Sequence, residues 1–282
     1  MKARVVTAVI SALLTANAQA DSVGLHLGGQ FWQSKATGVF GEQNSLGEVD
    51  AKKEQQNSYF FALEHPFPLL PHLRISKTSL DTSNQTSSTL DYSDDTETAH
   101  VDVHVDRVID ASFNVRYIDY TLYYQLFDNG LFSFDLGLTA RDFGGAVSLT
   151  ATDDIVTTTR DFIWDGEDHD DHDYHNIIET SQSVNSNKIK PNEIEPMLYV
   201  ATNIVLPMSG LSMFVQGDVL LAGEGSHYDY QFGLNYNVIK NRKVDIDLLL
   251  GYREVNMDFE DLSRLHTGIE FKGAFVGVVA HF

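Results

Sequence analysis

Two short tracts gather side chains that can do chemistry. Residues 165–175 (DGEDHDDHDYH) hold His169, His172 and His175, with six acids that include Asp168, Asp170, Asp171 and Asp173. Carboxylates suit hard Ca²⁺, and imidazoles suit Zn²⁺ or Cu²⁺. The three-residue spacing lets two imidazoles chelate one ion when the segment curls. The tract is not an EF-hand loop, because the Asp spacing and the twelfth-position Glu are missing. Nor does it hold an H-E-x-x-H zinc motif. Two readings stay open: a solvated acidic loop, or a divalent-cation site, weak or dedicated. No other cofactor is expected. In the second tract, 100–106 (HVDVHVD), a strand would put His100, Asp102, His104 and Asp106 on one face. An Asp beside a His can activate water, which would suit a hydrolase at the rim of a barrel. Beyond Asp102-x-His104 no catalytic motif supports that, and no G-x-S-x-G occurs. The expectation is a non-enzymatic protein.

The elements that must carry these tracts follow from composition and periodicity. The 282 residues include 40 acids against 19 Lys and Arg, a net charge of −21. A body so acidic repels phosphate, so no nucleic-acid partner is expected. With no cysteine, disulfide scaffolds and thiolate metal sites are excluded. Lys2 and Arg4 precede an apolar run at 5–16 and then Ala18-Gln19-Ala20, the pattern of a secretory signal peptide cleaved after residue 20. Losing Lys2 and Arg4 moves the net charge from −21 to −23. No later stretch approaches the roughly 18 apolar residues of a membrane helix. Two alternatives remain, a soluble exported protein or a closed transmembrane barrel.

Alternation favours the barrel. Ile118, Tyr120, Leu122, Tyr124 and Leu126 share one parity, and Asp119, Thr121, Tyr123 and Gln125 share the other. The same holds for Phe132 through Ala140, for Tyr228 through Val238 and for Val244 through Tyr252. Such runs match the roughly 9–11 residues that a tilted strand needs to cross a bilayer, more than the 5–6 of a soluble sandwich. Tyr117, Tyr120, Tyr123 and Tyr124, like Tyr228, Tyr230 and Tyr236, sit near run ends, as rings at a lipid–water boundary would. The expected strands are 22–33, 57–65, 72–80, 113–127, 131–143, 195–206, 211–221, 227–238, 243–257 and 263–282. The expected fold is all-β, a closed up-and-down antiparallel transmembrane β-barrel of about ten strands spanning 21–282. Tight Pro- and Gly-bearing turns alternate with long outer loops at 34–56, 81–112 and 144–194. Residues 147–152 and 155–163 offer an added hairpin above the membrane. The Ser/Thr-rich segment 76–98 reads as a mobile outer loop.

The chain resembles a family of small proteobacterial outer-membrane β-barrel proteins. The resemblance is carried by Trp32, the EHPFPLLP element at 64–71, Leu122-Tyr123-Tyr124 running to Asp128-Asn129-Gly130, Asp135-Leu136-Gly137, Pro196-Met197-Leu198-Tyr199, Gly251-Tyr252-Arg253 and the 273–282 end. It covers nearly all of the chain after residue 20 apart from the three long loops. It implies the barrel, the outer membrane of a Gram-negative cell and outer-membrane lipid as the surrounding partner. It supplies no activity. The alternating strand ending in Phe282 resembles the signal read by the barrel-assembly machinery.

Parity assigns the lumen Glu64, Arg74, Asp119, Asp135, Arg141, Asp218, Asp229, Asp245, Asp247 and Arg253. Buried charges need partners, so Asp/Glu–Arg pairs across neighbouring strands are expected. Ten strands lie near the eight-stranded limit at which side chains fill a barrel. The network is then either a structural plug or the lining of a narrow water path. Seven acids against three arginines make such a path cation-preferring. The outer loops leave a surface interaction module as a further reading.

Overall fold

The computed structural model describes residues 23–42, 45–67, 69–95, 99–162, 174–190, 194–221, 226–241, 244–262 and 265–282. The leader expected at 1–20 lies outside them. Among the described residues there are twelve strands: β1 (Gly24–Glu42), β2 (Ser45–Asp50), β3 (Glu54–Glu64), β4 (His72–Asp95), β5 (Ala99–Asp128), β6 (Phe132–Phe162), β7 (Tyr174–Ile189), β8 (Ile194–Leu206), β9 (Leu211–Leu220), β10 (Tyr228–Lys240), β11 (Asp245–Leu262) and β12 (Leu265–His281). Ten of them form an antiparallel ring in chain order, closed where β12 pairs with β1 from His26↔His281 to Glu42↔Leu265. The two others, β2 and β7, pair with the outer halves of β1 and β6. The tight turns gather at one end. At 128–132 Gly130 takes φ 78°, which a side chain would resist, while the Asp128 and Asn129 carboxyl and amide oxygens accept backbone N–H groups.

The segments expected as long outer loops are largely strand. β4 and β5 stay paired from His72↔Tyr123 to Asp95↔His100, so the Ser/Thr-rich segment is half of a ladder rather than a loop. Residues 147–162 are one uninterrupted continuation of β6, not a hairpin, and their partner is β7. Together the outer parts of β4, β5, β6 and β7 make a four-stranded blade beyond the ring. Polar Ser and Thr do not oppose this. In a two-sided sheet each hydroxyl can serve a cross-strand partner, as Thr89 does for Asp106 (2.8 Å).

Along these strands the phase of the alternation inverts. On β5, Tyr120, Leu122, Tyr124 and Leu126 point outward and are exposed. Further along the same strand the apolar residues are Tyr117, Val115 and Phe113, and they point inward and are buried. β11 does the same, from exposed Leu248 and Leu250 to buried Val255 and Met257. β12 has exposed Val276 and Val278, then buried Phe271 and Ile269. The wall is therefore apolar-out and polar-in over one zone and polar-out and apolar-in beyond it. The first arrangement costs free energy in water and is favourable only against hydrocarbon. On β5 that zone runs from Ile118 to Leu126, close to the length needed to cross a bilayer.

Two outward positions on β5 test the inversion. Leu122→Arg is expected to destabilise the folded barrel in lipid vesicles by about 2–4 kcal/mol. Ser112→Arg, on the same face beyond the apolar zone, is expected to cost less than about 0.5 kcal/mol. Urea unfolding in vesicles reads both, and equal costs would refute the assignment.

Candidate functional site in the barrel lumen

The inward side chains arrange themselves in three layers. The middle layer is ionic. Asp119 and Arg141 are direct cross-strand partners on β5 and β6, so their side chains share one face at close range. Arg141 donates Nε to Asp119 Oδ1 (2.7 Å) and Nη2 to Asp119 Oδ2 (3.0 Å), a bidentate fork. The same Nη2 reaches across the lumen to Asp229 Oδ2 on β10 (3.3 Å). Arg253 on β11 forks onto Asp229 through Nε (2.9 Å) and Nη2 (2.7 Å). Tyr117 donates its hydroxyl to Asp229 Oδ2 (2.7 Å), and Arg253 Nη2 donates to Thr78 Oγ1 (3.2 Å). Asp218 accepts from Thr139 Oγ1 (2.6 Å), which also bonds Thr121. Arg141 is 0% exposed, and its guanidinium lies 4.0 Å from the Tyr117 ring centroid. Four of the ten sequence-assigned lumen residues, Asp119, Arg141, Asp229 and Arg253, thus meet in one network joining strands on both sides of the barrel, and Asp218 lies beside it on a separate Thr139–Thr121 chain.

The other five lie nearer the tight-turn end. Glu64 accepts the Tyr123 hydroxyl (3.0 Å) and lies 3.5 Å from His26, whose ring stacks on His281. Arg74 sits 3.8 Å over the Phe60 ring, and among the described residues no ion pair forms with it. That ring lies across Gly28, where a Cβ would come within 2.1 Å of it, so glycine is needed for the stack. Asp247 accepts from Asn237 (2.6 Å) and Asn235 (3.4 Å), Asp245 from the Asn241 backbone (3.0 Å). One Asp135 oxygen is buried without a hydrogen-bond partner. Between these residues and the ionic layer is a cavity of about 20 Å³, lined by Gln30, Ser58, Arg74, Gln216, Asp218 and Gln231 among others. It has room for roughly one water.

The third layer was not anticipated. Beyond the ionic network the lumen is filled by Trp32, Leu80, Phe113, Val115, Phe143, Met257, Phe271 and Phe275. Trp32 donates Nε1 to the Gly273 carbonyl (3.0 Å) and faces Arg253. Tyr117 and Tyr123 also point inward, 1% and 4% exposed, and are not boundary rings. The signal was present: Phe271 and Phe275 fall on the opposite parity from Val276 and Val278.

A wall that is apolar outside and carries a paired charge network inside, at one height and in a closed antiparallel ring, is built to stand between lipid and a polar interior. The protein is a closed antiparallel transmembrane β-barrel. No family model matches the chain, and no curated protein sequence does. Solved structures similar to it include a Pseudomonas aeruginosa FadL homologue (9% identity, 93% of this chain and 90% of that chain, TM-score 0.30). The translocator domain of the autotransporter NalP from Neisseria meningitidis is another (10% identity, 99% and 94%, TM-score 0.30). A third is the attachment invasion locus protein Ail of Yersinia pestis (10% identity, 92% and 99%, TM-score 0.25). Likenesses this distant leave the architecture to be read from the chain's own strand pairing.

Of the metal candidates in this barrel, Asp168, His169, Asp170, Asp171, His172 and Asp173 lie outside the described residues. His175 is placed by its backbone alone, opposite Asp161. Among the described residues no three His, Asp or Glu side chains gather to hold a metal. On the blade, His100, Asp102, His104 and Asp106 do share the outward face. His100 bonds Asp95 through Nδ1 and Asp102 through Nε2 (3.0 Å), and Arg160 closes on Asp102 (3.2 Å). His104 Nδ1 meets Asp91 (2.5 Å). All but the His100–Asp102 bond, which lies within β5, are cross-strand ties between β4, β5 and β6.

The ionic layer predicts a large cost for one-sided truncation. Arg141→Ala is expected to lose about 3–5 kcal/mol, because Asp119 is left buried and unpaired. Replacing both, Asp119→Leu with Arg141→Met, is expected to recover most of it in the same unfolding assay. On the blade, the hydrogen bonds from Asp95 and Asp91 raise the His100 and His104 pKa values above the usual 6.5. Their contribution to the blade is therefore complete below about pH 6.5 and is lost as pH rises through the raised values. NMR titration should show both histidines titrating high, with Asp91→Asn lowering His104 alone.

Proposed function

We propose that this is a non-enzymatic barrel with a shut lumen, serving as a membrane anchor for the blade it holds above the bilayer. The observation that carries this reading is the layered lumen. The forks of Arg141 and Arg253 tie β5, β6, β10 and β11 across the axis, and a layer of buried apolar and aromatic side chains packs above them. A barrel braced from wall to wall resists deformation, which suits a pedestal. We group the chain with the small proteobacterial outer-membrane barrels through its EHPFPLLP element. In that element His65 bonds the Pro71 carbonyl (3.0 Å) and packs against His72, the first residue of β4. We assign recognition by the assembly machinery to the terminal strand. There Phe282 is 48% exposed, and its backbone pairs with Leu25 in both directions.

A narrow cation-preferring conduit is the second reading, favoured by the excess of acids over arginines in the lumen. Planar-bilayer conductance separates the two. The anchor reading expects silence from the purified protein. It also expects Arg141→Ala combined with Phe271→Ala to open a cation-selective current. Steady unitary currents from the unaltered protein would replace the anchor with the conduit.

A further inference from the structure

The outward face of β3, β4 and β5 changes character from one row of side chains to the next. Phe61, Ile75 and Tyr120 are cross-strand partners and form an apolar row against the hydrocarbon. The next row on the same face, toward the blade, is Tyr59, Lys77 and Ile118. The row beyond that is Asn57, Ser79 and Arg116. Lys77 and Arg116 are therefore diagonal neighbours, with backbones roughly 7–8 Å apart and long side chains that can meet. Both are exposed, as is Tyr59. Arg116 lies across Gly144 of β6, where a Cβ would sit 3.5 Å from its Nε.

These donors have no acceptor within the protein. On β1 and β12 the outward bases Lys35 and Lys272 are tied to Asp50 (2.6 Å) and Glu270 (2.5 Å). Among the described residues no carboxylate reaches Lys77 or Arg116 in this way, and the Tyr59 hydroxyl makes no hydrogen bond. Two acids share the face. Asp142 stands beyond Ile118 on β6, and Asp81 accepts from Asn114. In a chain with 40 acids, adjacent bases are not left unpaired for want of carboxylates.

The position selects the partner. Three donors at the edge of the apolar zone stand at the level of lipid headgroups, where basic side chains attract anionic heads. A tetrahedral phosphate can take donors from three strands, whereas a carboxylate is best matched by one planar fork. The apolar row directly beneath offers the same molecule a bed for its chain. We propose that Tyr59, Lys77 and Arg116 hold the phosphate of an anionic membrane lipid, whose acyl chain lies along Phe61, Ile75 and Tyr120. β4 and β5 continue into the blade, so a lipid held there sets the height at which the blade leaves the bilayer. This inference does not depend on whether the lumen conducts.

Full-length protein in a neutral detergent is mixed with phosphatidic acid or, separately, with phosphatidylcholine, and native mass spectrometry counts the retained lipid. Phosphatidic acid exposes its phosphate, and phosphatidylcholine shields it behind a bulky cation. The expected result is one phosphatidic acid per barrel, retained at least about tenfold better than phosphatidylcholine. Lys77→Gln with Arg116→Gln should lower that retention about tenfold, while heat-modifiable gel migration shows the barrel still folded. Lys35→Gln with Lys272→Gln should leave it unchanged. Equal retention of the two lipids would overturn the proposal, as would retention that survives the loss of Lys77 and Arg116. An equal loss in the Lys35 and Lys272 variant would reduce the effect to general surface charge and overturn the site. Inorganic phosphate that displaces the lipid at equal concentration would assign the donors to a free anion and overturn the lipid as occupant.

Discussion

The medium outside the wall decides which side chains each strand can turn outward. Hydrocarbon accepts Leu122, Tyr124, Leu250 and Val276 and rejects charge, so over that height Asp119, Arg141, Asp229 and Arg253 must face the lumen. Once a strand leaves the lipid the preference reverses. Val115, Phe113, Val255, Met257 and Phe271 then turn inward and make an ordinary protein core. No strand breaks where the change occurs. β5 passes from one regime to the other between Ile118 and Tyr117, simply by moving its apolar residues to the other parity.

The ionic layer is a consequence of that constraint. Charges excluded from lipid are confined to a lumen too narrow to hydrate them fully. Forked arginine–carboxylate contacts offset the lost hydration. Asp229 illustrates the economy of the arrangement: two arginines and a tyrosine hydroxyl converge on it. These bonds join residues far apart in sequence, such as Arg253 and Thr78, and so brace the ring across its axis. The aromatic layer above excludes water and strengthens the same contacts by lowering the local dielectric.

The blade extends the rule beyond the membrane. Its outward face carries His100, Asp102, His104 and Asp106, while Val103 and Val105 point inward and are buried. The His–Asp alternation that first suggested catalysis therefore reads as a soluble sheet face with cross-strand ties. Because β4, β5 and β6 run without interruption from ring to tip, the blade is mechanically continuous with the wall that anchors it.

The amino-acid sequence alone determined the antiparallel barrel, the ring of about ten strands and the parity of the polar residues that line it. A period-two pattern is local, so Asp119 and Arg141 announce their face through their immediate neighbours. It also carried the switch of parity at Phe271 and Phe275, legible once lipid is known to end there. Only the tertiary structure decided which lumen charges meet, because Arg141 and Asp229 are brought together by closure of the ring and not by spacing along the chain. It likewise decided that 81–95, 99–112 and 147–162 are strand. Ser, Thr and Asp have weak β preference by themselves, and each such segment becomes a strand only because a ladder partner in register satisfies its backbone.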